Sequence, residues 1–148
     1  MLAAGDVAPD FAVGDRTLYD VLRTHVAVLF FFPRVFTPTC TREASGFCRG
    51  YEALHAEGVE IVGVSSDPQA KSEAFRGELG LPYALVGDPG GAILRAYGVR
   101  WPIVGIAKRG TFVIGRDRKI VLAFRSEFDA EAHLVRATAA AREAAARG

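Results

Sequence analysis

The run HVAVLFFF, from His25 to Phe32, constrains the fold of this chain more than any other stretch. After His25 it is continuously apolar, rich in β-branched and aromatic residues, with no alternation of polar positions. That pattern is typical of a strand covered on both faces, as in a sheet with helices on either side. The run VEIVGVSS, from Val59 to Ser66, repeats it. The two runs predict two buried strands.

The remaining segments predict helices and one pair of strands. Predicted helices cover 41–57, ending against Gly58; 67–80, with Asp67 as N-cap and Gly80 at the end; the short segment GGAILRAYG; and the Ala-rich tail 129–147. The tail begins on an acidic cap, has Leu134 and Val135 near its start, and is expected to pack across the sheet. GTFVIG (110–115) and KIVLAFRS (119–126) flank RDR and predict strands joined by a short turn. This order predicts a layered α/β fold with a mixed sheet, as one domain over residues 1–148.

Composition narrows the classes of function. The chain has 148 residues, 50% hydrophobic and 24% charged, with a net charge of +1, so nothing indicates binding to nucleic acid or to an anionic membrane. Its start, MLAAGDVAPDF, lacks the basic and apolar segments of a secretory signal, and its longest apolar run is too short to span a membrane. We therefore expect a cytoplasmic protein.

The chain has two cysteines, Cys40 and Cys48, and three histidines. In a cytoplasmic protein, two cysteines are more often free, catalytic or redox-active thiols than a structural disulfide. His25, His55 and His133 are far apart in the sequence, and no Cys/His cluster has the spacing of a zinc site. We expect no metal and no cofactor.

Cys40 follows the first buried strand and opens the next helix, within the stretch FFPRVFTPTC. A helix N-terminus stabilises a nearby anion through its unpaired N–H groups and its dipole, so this position favours a thiolate. Pro33 and Pro38 stiffen the loop, and Thr37 adds a hydroxyl group nearby. From position alone, the alternative of a buried structural cysteine is equally acceptable.

Pro33, Thr37 and Cys40 form the pattern Pro-x-x-x-Thr-x-x-Cys, which resembles the active-site signature of the peroxiredoxins, the AhpC/TSA family. Other segments resemble family segments in the same order. These are APDF (8–11), similar to the opening strand; VGVSSD (62–67), similar to the next core strand and turn; GDPGGAILRAYGV (87–99); and KRGTFVIGRDRKI (108–120). The resemblance therefore spans almost the whole chain.

This resemblance implies a thioredoxin-like fold with the N-terminal additions of peroxiredoxins, and it implies roles for individual residues. Cys40 would attack the peroxide and become a sulfenic acid. Thr37 would orient the peroxide, Pro33 would shield the site from water, and Arg109 would lie beside the thiolate and favour it. Glu43 would either engage this arginine or simply be favoured by the helix dipole in the first turn.

The second cysteine determines the type of catalytic cycle. In the bacterioferritin-comigratory (Q-type) branch the usual resolving cysteine lies five residues after the peroxidatic one, where this chain has Ser45; FTPTC, AYGV and GIAKRGTF resemble more closely the alkyl hydroperoxide reductase E group. Cys48 lies eight residues after Cys40, about 12 Å along an intact helix, so a disulfide would require the first two turns to unwind, which Gly46 would ease. Either Cys48 resolves Cys40 in this way, or Cys48 faces the core and an external thiol reduces Cys40.

The implied function is a thiol-dependent peroxidase for hydrogen peroxide or organic hydroperoxides. Its reductant would be thioredoxin, a glutaredoxin-type protein or a low-molecular-weight thiol. A thiol–disulfide oxidoreductase is disfavoured because Cys-x-x-Cys is absent, and a redox-gated binding or chaperone module is the non-enzymatic alternative. A homodimer could form through Val35, Phe36 and the segment 100–105, in which Trp101 either joins the interface or caps the core.

Overall fold

The computed structural model describes residues 1–127 and 129–147. The strands are β1 (Ala12–Val13), β2 (Arg16–Thr17), β3 (Val26–Phe32), β4 (Val59–Ser65), β5 (Ala84–Gly87), β6 (Gly110–Ile114) and β7 (Ile120–Arg125). The helices are α1 (Leu18–Leu22), α2 (Pro38–Ala56), α3 (Gln69–Leu79), α4 (Ala92–Tyr97) and α5 (Ala130–Arg147). No helix among these residues is long and apolar enough to cross a membrane.

Five strands form the central sheet in the order β5-β4-β3-β6-β7. Strands β3, β4 and β5 are parallel to their neighbours, joined by crossovers through α2 and α3, whereas β6 pairs antiparallel with both β3 and β7. Parallel neighbours require long connections, which the helices supply, while β6 and β7 need only a turn. The predictions of a layered α/β fold, a mixed sheet and a closing strand pair are confirmed.

Strand β3 lies at the centre of the sheet and all seven of its residues are buried. Its side chains alternate between two apolar layers, as the two-residue period of a strand requires. Phe30 and Phe32 face α2, α3 and α5 on one side, whereas Leu29 and Phe31 face α1 and α4 on the other. The absence of polar alternation in the sequence therefore corresponds to coverage on both faces, as predicted.

Helices α2 and α5 approach closely where Gly46 faces Leu134. A Cβ atom at position 46 would collide with the Leu134 side chain, so glycine is what allows this approach. Further along α5 the buried side chains are small, namely Ala137, Ala141 and Ala144. The sequence suggested that Gly46 eases unwinding; its packing role depends on a contact that only the fold creates.

Several local predictions were wrong. Residues 8–11 are not a strand, and the first strand covers only Ala12–Val13. Asp67 does not cap α3, whose N-cap is Pro68 without a side-chain hydrogen bond, because the Asp67 carboxylate bonds elsewhere. In α5, Val135 is 58% exposed, whereas the predicted acidic cap is confirmed, since Asp129 Oδ1 accepts from Ala132 N at 3.0 Å.

Candidate active site

The loop between β3 and α2 delivers Cys40 into the first turn of α2. The helix begins at Pro38, three residues before the predicted start, so Cys40 is its third residue. Thr37 is the N-cap, with extended backbone angles, and its Oγ1 accepts a hydrogen bond from Cys40 N at 3.4 Å. A proline at the first helical position costs nothing, because that N–H would have no helical partner. The cap therefore fixes the backbone of Cys40 directly.

The same loop is anchored to the neighbouring strand. Val35 N donates to Asp67 Oδ2 at 2.8 Å, and Asp67 follows the end of β4. Phe36 adopts a positive φ of 66°, a region that non-glycine residues rarely occupy, and its ring packs against Phe75 with centroids 5.0 Å apart. This side-chain bond and ring contact hold the loop that precedes Cys40. Asp67 thus serves the Cys40 loop rather than α3.

Arg109, one residue before β6, reaches the Cys40 sulfur. Its Nη2 donates to Cys40 Sγ at 3.1 Å and its Nη1 to Glu43 Oε1 at 3.1 Å. Its Nε donates to the backbone carbonyl of Glu127 at 3.2 Å. The guanidinium fork therefore has a partner in each direction, which fixes its plane. Cys40 and Arg109 are 1% and 3% exposed, so their contact lies in a nearly dry environment.

Glu43 and His133 lie behind Arg109, and both are fully buried. Glu43 Oε2 has no hydrogen-bond partner among the described residues, but it lies 3.7 Å from His133 Nδ1. His133 Nδ1 is 2.7 Å from Thr111 Oγ1, and His133 Nε2 is 2.8 Å from the carbonyl oxygen of Ser126. A continuous set of polar contacts therefore extends from Cys40 through Arg109 and Glu43 to α5.

Burial and the neighbouring polar or charged groups shift the pKa values of these side chains in opposite directions. Burial raises the pKa of Glu43 to about 7, although Arg109 acts to lower it. Burial lowers the pKa of His133, partly offset by its bond to Ser126. Burial alone would lower the pKa of Arg109, but Cys40 and Glu43 outweigh burial and raise it. The cluster thus holds one permanent cation beside an acid and a base whose protonation depends on their surroundings.

Cys48 lies on the same helix as Cys40 but in a different environment. Helix α2 is continuous across both residues, and both cysteines are free. Cys48 is half-buried and, with Tyr51, His55 and Pro82, lines a groove of about 350 Å³. The continuous helix therefore places the two cysteine residues about 12 Å apart along its axis.

The sequence-predicted residues are brought together only in part. Cys40, Arg109 and Glu43 are in mutual contact through Arg109, and Thr37 touches the backbone of Cys40. Pro33 is half-buried at the start of the loop, and Cys48 lies apart. Among residues 1–127 and 129–147, no three His, Cys, Asp or Glu side chains are placed to share a metal ion.

The sequence did not predict that Thr111 and His133 belong to the polar cluster around Arg109. Thr111 stands two positions after Arg109, so the two-residue period of β6 places both on one face. His133 lies four positions before Ala137, on the buried face of α5. A lone histidine on an alanine face was the available signal, but its partners could not be identified without the fold.

Comparison with known proteins gives consistent results. The sequence matches the profile of the AhpC/TSA family over residues 4–123. Chloroplastic peroxiredoxin Q of Arabidopsis thaliana is 32% identical over 135 residues, which cover 88% of this chain and 62% of the relative. The chain thus spans somewhat less than two thirds of the length of the plant relatives that it matches.

Solved structures show the same architecture. The crystal structure of peroxidoxin BcpB from Mycobacterium tuberculosis is 34% identical, with a TM-score of 0.89 over 97% of this chain and 98% of that chain. Peroxiredoxin Q from Xanthomonas campestris has a TM-score of 0.83 at 24% identity, over 97% of this chain and 98% of that one. The predicted thioredoxin-like fold is thereby confirmed.

Proposed function

The chain belongs to the AhpC/TSA family, and on that premise we propose that it is a thiol-dependent peroxidase in which Cys40 reduces a hydroperoxide. The observation that carries the proposal is the 3.1 Å contact between Arg109 Nη2 and Cys40 Sγ in the first turn of α2. A fixed guanidinium group favours the thiolate and remains in place to stabilise negative charge on the departing oxygen. The substrate is hydrogen peroxide or an organic hydroperoxide.

The reaction is a two-electron transfer from sulfur to the peroxide. The Cys40 thiolate attacks the hydroxyl oxygen of the peroxide, so that an S–O bond forms while the O–O bond breaks. Sulfur becomes a sulfenic acid, which keeps the hydroxyl proton. The second oxygen leaves as hydroxide or alkoxide and takes up a proton to give water or an alcohol.

Three further residues support this chemistry in our proposal. The Thr37 hydroxyl, which already lies at the Cys40 backbone, orients the peroxide by hydrogen bonding. Pro33, half-buried at the start of the loop, shields the site from water. Glu43 holds Nη1 of Arg109 so that Nη2 points at the sulfur.

We propose that Cys48 then condenses with the sulfenic acid to form an intramolecular disulfide, releasing water. This step needs the start of α2 to unwind, because the intact helix separates the two thiols. Unwinding must break the bond from Tyr83 Oη to Ala44 O at 2.6 Å and expose Phe47. Helix ends open more readily than helix centres, and the first turn here depends on one side-chain cap.

Mass spectrometry after one equivalent of peroxide tests the resolving role. The wild type is expected to lose two hydrogens as the disulfide forms. Cys48→Ser is expected to gain one oxygen as a sulfenic acid. The matched control Ser45→Ala, half-buried like Cys48 and on the same helix, should behave like the wild type. A wild-type product with one added oxygen, stable until an external thiol is supplied, would instead establish the one-cysteine cycle.

Peroxide consumption with a recycling dithiol tests the enzymatic proposal itself. The wild type should turn over, and Cys40→Ser should show only the uncatalysed rate. Equal consumption by the two proteins would exclude a peroxidase centred on Cys40 and favour a non-enzymatic redox module.

Comparing thioredoxin, a glutaredoxin-type protein and small thiols in the same assay identifies the reductant, since each gives a different rate. A cytoplasmic location, where thiols stay reduced, suits this cycle and forms part of the proposal.

We also propose that a second copy of the chain covers the exposed apolar side chains near this loop. Phe36, Ile103 and Val104 are 46%, 96% and 67% exposed. Val35, expected at the same surface, is instead buried, and Lys108 and Arg125 lie over the ring of the half-buried Trp101 at 5.0 Å each. Sedimentation of the wild type and Ile103→Lys should show a dimer and a monomer respectively; identical monomers would refute the proposal.

A further inference from the structure

His133 is a buried base that the proposed chemistry leaves unused. It belongs to α5, which is distant in sequence from the Cys40 loop, yet its ring faces the free oxygen of Glu43. Phe124 packs edge-on against that ring at 4.8 Å, so the imidazole is held in one orientation. A fully buried imidazole in a fixed orientation beside an unpartnered carboxylate oxygen requires an explanation.

The contacts of His133 define which nitrogen carries hydrogen. The carbonyl oxygen of Ser126 can only accept, so Nε2 is protonated and donates to it at 2.8 Å. In the neutral ring Nδ1 then has a lone pair, which accepts from the hydroxyl group of Thr111 at 2.7 Å. Because Thr111 occupies that lone pair, the neutral ring offers no hydrogen to the ionised Glu43 Oε2, which lies 3.7 Å away and is left buried without a donor. That arrangement is unfavourable unless one further proton is present.

The charges around the sulfur lead to the same conclusion. With Cys40 as a thiolate and Glu43 ionised, the buried cluster holds two negative charges against the single positive charge of Arg109. One proton on Glu43 or on His133 Nδ1 makes the cluster neutral. Burying a net charge is costly, so the neutral arrangement is favoured.

We propose that Glu43 and His133 together hold one proton while Cys40 is a thiolate and release it when Cys40 becomes a neutral sulfenic acid. His133 is thereby a positioning residue, because it acts on the sulfur through Glu43 and Arg109. The step balances: the pair loses one proton and the leaving alkoxide or hydroxide takes one up. The inference deepens the proposed peroxidase function and rests on it.

Other charged groups near the pair have been taken into account. From the segment after β7, the Glu127 carboxylate raises the pKa of Glu43, as burial does, whereas Arg109 beside β6 lowers it. Glu127 and Asp129 also act to raise the pKa of His133, against burial and Arg109. Burial thus raises the proton affinity of the carboxylate and lowers that of the imidazole, so the proton is not confined to the base.

The pH dependence of Cys40 alkylation by iodoacetamide tests the inference without using peroxide. The parent is Cys48→Ser, so that a single thiol reacts and reports the thiolate fraction. His133→Asn keeps a polar group near Thr111, whereas His133→Gln keeps a donor to Ser126 O, and neither side chain can take up a proton. The matched control is His55→Asn, which removes a histidine that lies 3.4 Å from Glu60 at the far end of α2.

Both His133 variants should move the alkylation profile to higher pH and slow the reaction below its midpoint by up to about tenfold. The reason is that Glu43 alone can then hold the proton, so the carboxylate becomes ionised at a lower pH than in the pair and its charge repels the thiolate. In a Glu43→Gln background the same substitutions should have no effect, because an amide has no proton to share. His55→Asn should match the parent.

A purely structural role predicts a different pattern. If the His133 variants match the parent, or if their shift persists with Glu43→Gln, the inference is overturned. Should His133→Asn fail to fold, His133→Gln decides the matter, since it keeps the bond to Ser126. If the Cys48→Ser series shows the expected profiles but the wild type consumes no peroxide, the peroxidase function is refuted and the proton-sharing pair is established.

Discussion

Arg109 Nη2 donates to Cys40 Sγ across 3.1 Å, although the two residues are 69 positions apart in the sequence. The guanidinium group holds this position because its other nitrogens donate to Glu43 and to the Glu127 carbonyl. Three directed bonds to three different groups fix a planar fork in a way that a single ammonium group cannot reproduce. The dependence of the sulfur on this arrangement leads to the first prediction.

Replacing Arg109 with lysine should lower the rate constant for the reaction of Cys40 with peroxide by about a hundredfold to a thousandfold, the usual cost of losing a preorganised donor to a developing oxyanion. Lysine keeps the charge but cannot donate to Cys40 and Glu43 together. Stopped-flow fluorescence or competition with a known peroxidase measures the rate. Arg125→Lys, at a half-exposed arginine over Trp101, is the control and should retain the wild-type rate. An active Arg109→Lys would show that charge alone suffices.

Thr37 combines a structural and a chemical role, and substitution by alanine should affect both. Loss of the N-cap should lower the free energy of unfolding by about 1 kcal/mol, and loss of the hydroxyl group should slow peroxide reduction. Thr37→Ser should largely restore both properties. The control is Thr17→Ala, which removes the capping box of α1 and should lower stability without changing the peroxide rate. If both alanine variants slowed the reaction equally, stability rather than the hydroxyl group would be responsible.

Gly46 and Gly50 provide a matched pair within α2. Alanine at an open helix position stabilises by up to about 1 kcal/mol, and Gly50→Ala should do so, because its Cβ would lie 3.8 Å from its nearest neighbour. Gly46→Ala should instead destabilise by about 1–2 kcal/mol, because the new methyl group displaces Leu134. Urea unfolding measures both. The double variant with Leu134→Ala should reduce the conflict; if Gly46→Ala stabilises as much as Gly50→Ala, the close helix contact is refuted.

Glu43 makes stability depend on pH in a direction opposite to that of an ordinary ion-paired carboxylate. Burial raises the pKa of Glu43 from 4.5 to about 7, so the folded protein binds this proton more tightly than the unfolded chain. Stability contributed by such a group is present at low pH and is lost as the pH rises through the folded value. The wild type should therefore lose up to about 3 kcal/mol relative to Glu43→Gln between about pH 4.5 and pH 7.

Urea unfolding of both proteins across this range provides the measurement. Glu52→Gln, at an exposed position of the same helix, is the control and should differ from the wild type by a nearly constant amount. A constant difference between the wild type and Glu43→Gln would mean that Glu43 stays ionised throughout.

The sequence by itself determined the class of fold and predicted which of the two thiols is the candidate nucleophile. An apolar run without polar alternation permits little except a strand covered on both faces, and a cysteine between this strand and the next predicted helix stands near a helix start. Those inferences depend on local periodicity and short-range capping, which a sequence expresses directly. The start of α2 was displaced by three residues because Thr37, rather than a residue nearer the apolar pattern, provides the cap.

The tertiary structure alone decided what surrounds the thiol. The sequence predicted that Asp67 caps α3, but Asp67 holds the Cys40 loop instead. The end of β4 places its carboxylate 2.8 Å from the backbone N–H of Val35. The sequence suggested that Gly46 weakens α2, whereas in the fold its missing side chain leaves room for Leu134 of α5. His133 looked isolated and instead faces Glu43. Each role arises between residues distant in sequence, and such pairings depend on how helices pack on the sheet, which no local pattern encodes.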